Sequence, residues 1–146
     1  MDTADRVREH TDQEVNQRID SRMAERIREY AQADPAALSA RMAELDREWD
    51  VERLLETNAS MLAFTGLALG VLRDRRWLLL PSIVLPFLFQ HAIQGWCPPL
   101  PVLRRMGFRT REEIDREKYA LKMLRGDFEI PTGLPRAEAA LRAIYA

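Results

Sequence analysis

A chain of 146 residues with 22 basic and 23 acidic side chains carries a net charge of −1, without the basic excess that nucleic-acid binding draws on. A single cysteine excludes an internal disulfide and a cysteine-built zinc site, and the charged opening Met1–Arg6 lacks the apolar core of a signal peptide. Although 31% of residues are charged, the distribution is uneven: between 57 and 96 the only charges are those of Arg73-Asp74-Arg75-Arg76.

From Thr3 to Gln32 the apolar residues fall at Val15, Ile19, Met23, Ile27 and Tyr30. These steps of three and four lay one narrow stripe along a helix. Arg18, Arg22 and Arg26 form a second row beside Glu14, Glu25 and Glu29. So narrow a seam suits a docking surface for a partner helix, or a solvated helix resting one side on a neighbour. Ala33-Asp34-Pro35 breaks the helix and restarts it, because Asp34 can cap free amides and Pro35 fits the first helical position. Leu38, Met42, Leu45 and Trp49 continue at helical spacing. No Gly or Pro intervenes before Gly66, so this helix is expected to run unbroken into the first apolar segment, with Trp49 near a membrane interface.

The first uncharged segment, Thr57–Leu72, spans about 24 Å as a helix at about 1.5 Å per residue. A bilayer core of about 30 Å asks for a little more, which Leu54 and Leu55 can supply. The second, Trp77–Trp96, is long enough by itself and contains Pro81 and Pro86, which membrane helices accommodate. Two short spanning helices fit best. A re-entrant hairpin and a buried soluble hairpin are the alternatives, the latter opposed by arms with few large apolar residues to cover it. Arg73, Arg75 and Arg76 in the loop are outnumbered by Arg41, Arg47 and Arg53 before the pair together with Arg104, Arg105, Arg109, Arg111 and Arg116 after it. Both termini are therefore expected on the cytoplasmic side. Downstream, Thr110 and Glu113 form a capping box that opens a helix near Arg111. Ile114, Leu121 and Leu124 mark its apolar face, and Gly126 is its stop. Pro131, Gly133 and Pro135 make a loop before a last helix, Arg136–Tyr145.

Three groups of residues could carry function. Ala59, Ala63, Gly66 and Gly70 form a small-residue face that lets helix backbones approach closely, either against the second span or in a dimer. Cys97 stands where the second helix must end before Pro98-Pro99, as a reactive thiol or a small buried filler. Gln90, His91 and Gln94 are polar groups at membrane depth, as interhelical hydrogen-bonding groups or as a proton or ion path. No catalytic triad, phosphate loop or paired-carboxylate arrangement can be argued, so no enzyme, cofactor or metal is expected.

The segment from about Leu54 to Phe128 resembles the YgaP-like transmembrane domain family. The resemblance rests on Asn58, Gly66, Gly70, Gly95-Trp96-Cys97-Pro98 and Gly107-Phe108-Arg109-Thr110. It implies an inner-membrane hairpin with cytoplasmic ends, dimeric, which in some members anchors a rhodanese domain. Here the N-terminal region is charged helix without a cysteine, so sulfur transfer does not carry over. The resulting expectation is an all-α protein: a two-helix transmembrane hairpin with amphipathic helical N-terminal and C-terminal cytoplasmic arms. Its parts are an arm at 1–56, the hairpin at 57–96 (57–72 and 77–96), and a Pro-rich turn with helices at 97–146. It would act as a self-associating scaffold or accessory subunit of the bacterial inner membrane. Its partners would be the lipid bilayer, another copy, and a protein bound through the N-terminal helices. A thiol-handling protein using Cys97 and a small oligomeric pore are the alternatives.

Overall fold

In a computed structural model, residues 6–128 are described, and among them the chain is helical with no strand. The helices are α1 (Arg6–Glu9), α2 (Gln13–Tyr30), α3 (Pro35–Leu45), α4 (Val51–Leu72), α5 (Leu79–Gln94), α6 (Leu100–Met106) and α7 (Arg111–Arg125), with a 3-10 helix, Arg75–Leu78, leading into α5. The expected loop at 131–135 and helix Arg136–Tyr145 lie outside the described residues.

The residues cluster into two compact units, each made from separated stretches of chain. One holds 6–20 and 49–112, the other 21–48 and 113–128. The first part of the N-terminal arm shares a unit with the two apolar helices.

Several local signals work as read. Asp34 caps α3, its carboxylate accepting from the Ala37 amide at 2.7 Å, with Pro35 in the first turn. Helix α7 begins at Arg111, directly after Thr110, and Gly126 follows it at φ +89°. Two expectations fail. The N-terminal helix is interrupted after Glu9. The helix through Trp49 does not run on: α3 ends at Leu45 and α4 starts afresh at Val51. Asp50 is the reason, since its side chain accepts from the Arg53 amide at 2.7 Å and its backbone is extended, so it caps a new helix without help from Gly or Pro. The Arg109 carbonyl accepts from the Val51 amide at 2.8 Å, meeting one of the donors a helix start leaves open.

In the second unit, Leu38, Met42 and Leu45 of α3 pack with Ile114 and Leu121 of α7, and Tyr30 lies against them. Leu124, the third expected apolar contact, is exposed. Across this core the fully buried Glu117 receives two arginines. Arg26 donates from Nη2 to Oε2 at 3.0 Å, and Arg41 donates from Nη2 to Oε1 at 2.9 Å. The carboxylate thus joins α2, α3 and α7, and both oxygens are satisfied by charged donors.

Candidate functional site: the α4–α5 pair and the groove above Cys97

Helices α4 and α5 pack against each other in antiparallel register. A Cβ on Gly70 would meet Leu78 Cδ2 at 2.5 Å, and one on Gly66 would collide with Pro81 Cδ and approach Leu80 Cβ at 3.1 Å. Gly66, Gly70 and Ala63 are buried. At Gly66 and Gly70 the small-residue face is thus filled by the chain's own second apolar helix, whereas Ala59 is half-buried. Glycine is needed here because the proline ring cannot move aside as a flexible side-chain end would.

Toward the other end the facing side chains leave space between the two helices. The space between them is a groove of about 430 Å³, walled by Leu55, Ala59 and Leu62 on one side and Val84, Phe87 and Leu88 on the other. Cys97, Pro98 and Pro99 form its floor, and Asn58 is the polar residue in its wall. Gly95 ends α5 in the left-handed conformation at φ +74°, where a Cβ would also strike the Arg6 backbone carbonyl carbon at 2.8 Å. Arg6 itself donates from Nη1 to the carbonyl of Ala92 and to that of Ile93 at 3.3 Å, placing positive charge on the last turn of α5. Gly95→Ala is accordingly expected to lower stability by about 1–2 kcal/mol from backbone strain, plus the Arg6 clash, read as a drop in melting temperature in detergent.

The Cys97 thiol is 8% exposed and packs with Val7, Val51, Leu55 and Leu100. Burial pushes its pKa above the ordinary thiol value. No arginine opposes that shift, because Arg104, close in sequence, is engaged elsewhere. Its guanidinium is 1% exposed and donates to Thr11 Oγ1 at 3.2 Å, to Asn16 Oδ1 at 2.9 Å and to the Phe108 carbonyl at 3.0 Å. The arrangement gives the features of a structural cysteine. Alkylation of the folded chain is expected to be slow at neutral pH, to rise only at pH values above those of a free thiol, and to become fast on unfolding. A rapid neutral-pH reaction with maleimide before unfolding would contradict this.

The polar trio is divided. Gln90 donates from Nε2 to Gln94 Oε1 at 3.3 Å along one side of α5, whereas His91 is buried. His91 Nδ1 has no hydrogen-bond partner among the described residues, and Arg6 and Glu56 are the charged groups close enough to act on it. The three side chains line no common surface. The N-terminal seam is likewise used in part by the chain itself: Val15 and Ile19 are buried, and Tyr30 lies on the second unit's core, while Met23 and Ile27 are half-buried. Sequence reasoning missed the burial of Arg104, which it counted only as flanking charge, and of Glu117, which it read as part of a solvated face; Glu113, expected in the capping box, is buried as well. Among the described residues no cluster of His, Cys, Asp and Glu could hold a metal ion.

No protein-family model, no curated protein and no solved structure matches this chain.

Proposed function

We propose that this chain is a small two-span protein of the bacterial inner membrane, and that it acts as a non-enzymatic scaffold or accessory subunit. One observation carries the reading. Val51–Leu72 and Arg75–Gln94 are long and apolar enough to cross a bilayer, yet only 22% and 11% of their most apolar stretches are buried within the chain. Met61, Phe64, Leu67, Val71, Leu72, Leu79 and Phe89 all face outward. A core helix of a water-soluble protein would be covered, so a surface this large asks for lipid or a permanent partner.

The ends of the pair fit interfacial positions. Trp49 stands before α4, 42% exposed, with the Arg53 guanidinium 4.6 Å from its ring centre, and Trp77 at the opposite end is 44% exposed. The arginine count supports an orientation with both flanking arms on the cytoplasmic side. The half-used α2 seam, Met23 and Ile27, is the proposed place for a protein partner. Self-association, where it occurs, would use the outward faces of α4 and α5. The family reading rests on the Gly95-Trp96-Cys97-Pro98 motif, whose cysteine belongs to the floor of the groove. The buried thiol and the divided polar trio lend no support to a thiol carrier or a pore.

Alkaline carbonate extraction tests the location. The chain is expected to stay with the membrane pellet, and its release into the supernatant would remove the proposal. Affinity purification in mild detergent tests the role: a stable partner lost with Ile27→Asp is the expected result.

A further inference from the structure

Between Glu56 and Glu112 the chain contains one acidic residue, Asp74, at the turn between the two apolar helices. Its side chain does not answer the arginines beside it. Asp74 Oδ1 accepts from the Arg76 amide at 2.8 Å, and its carbonyl accepts from the Trp77 amide at 3.0 Å. The Arg73 and Asp74 amides both donate to the Leu69 carbonyl, at 2.9 and 3.1 Å, so the turn is tied down on either side. Arg73, Arg75 and Arg76 are exposed, and among the described residues none has an ion pair or a side-chain hydrogen bond. At the opposite end of the pair exposed Arg53 lies over the Trp49 ring, and three other arginines are engaged with polar side chains. Arg8 is paired with Asp20, Arg105 with Asp12, and Arg104 is buried and donates to Thr11 and Asn16.

We infer that the turn Arg73–Trp77 is a binding surface for acidic phospholipid headgroups. The inference rests on the membrane reading and specifies which lipid the far end of the pair selects. Charge complementarity points to this partner. Three guanidiniums, each able to hold a phosphate through paired N–H donors, are displayed on a braced turn whose one carboxylate is already engaged with backbone. Exposed Trp77 supplies the amphipathic ring favoured at headgroup level, and exposed Leu78 and Leu79 continue into the acyl region.

The full chain in mild detergent is titrated with phosphatidylglycerol and with phosphatidylcholine, and the apparent affinity of each is read from the shift in melting temperature. Each arginine near an anionic surface contributes about fivefold, so a preference for phosphatidylglycerol of up to the order of 100-fold is expected. The Arg73→Gln, Arg75→Gln, Arg76→Gln triple variant changes exposed side chains only and should bring the preference close to unity, while the corresponding lysine variant keeps most of it. Asp74→Asn retains the capping oxygen, removes the negative charge and should raise the preference. A wild-type chain without preference, or a glutamine variant that keeps it, overturns the inference. So does inorganic phosphate that protects as well as the lipid. Carbonate extraction keeps the two proposals apart: a chain that stays in the membrane pellet yet shows no headgroup preference fails only this inference.

Discussion

Replacing Glu117 with alanine is expected to cost about 3–5 kcal/mol, the loss typical of breaking a buried ion pair from one side. The substitution leaves Arg26 and Arg41 converging on an empty site, each having donated to the missing carboxylate at 3.0 and 2.9 Å. The two like charges then repel, with Glu44 left as a partner of Arg41 and only partly exposed positions for water to replace the lost hydrogen bonds. Glu117→Gln keeps the shape and one acceptor and should fall between. A contrasting triple variant combines Arg26→Met, Arg41→Met and Glu117→Leu, which should recover much of the loss because it removes the two converging arginines together with the carboxylate and leaves only exposed Glu44 without its arginine. Denaturant unfolding of the full chain in detergent provides the measurement. A single alanine variant as stable as the original would show that the carboxylate is not what holds α2, α3 and α7 together.

Gly66→Val is the second large effect, expected at about 3 kcal/mol, the upper end of ordinary overpacking. Its side chain would have to occupy the space of the Pro81 ring, with Leu80 Cβ also near. Helix α4 would be pushed away from α5 along the segment where the two are closest. Gly66→Ala should show a smaller version, and Leu67→Val, on an outward side of the same helix, should show almost none. The readout is resistance to increasing concentrations of a denaturing detergent. The same variants separate two uses of the small-residue face. If it served contacts between copies, Gly66→Val would reduce cross-linked dimer and leave each copy's own stability unchanged.

How far the sequence reveals these features depends on what kind of interaction makes them. Helix punctuation is local, and Asp34-Pro35, Thr110-Arg111 and Gly126 could be read directly. Asp50 was equally local but was hidden, because no glycine or proline marked the break and the apolar spacing through Trp49 suggested continuity. The candidate spans are legible because the length of an uncharged run is a property of the chain alone. What a small face packs against is not, since Gly66 and Gly70 offer the same surface to α5 or to another copy until the turn geometry brings Pro81 and Leu78 onto them. Buried charge is the least visible. Arg104 and Glu117 sit in charged helical stretches like any solvated residue, and only partners far along the chain, Thr11 and Asn16 for one and Arg26 and Arg41 for the other, place them inside.

Arg6 lies on the last carbonyls of α5, and Arg104 reaches back to Thr11 and Asn16. These contacts impose an order on biosynthesis. Thr11 and Asn16 have no such partner until the segment around Arg104 has been made, which at about 5–20 residues per second is a wait on the order of 5 to 20 s. For that interval residues 6–20 are without these long-range contacts, while α4 and α5 are already made. Closure of the first unit is then a late event that waits on α6, and a chaperone or protease acting on the nascent chain would meet residues 6–20 before that unit has closed.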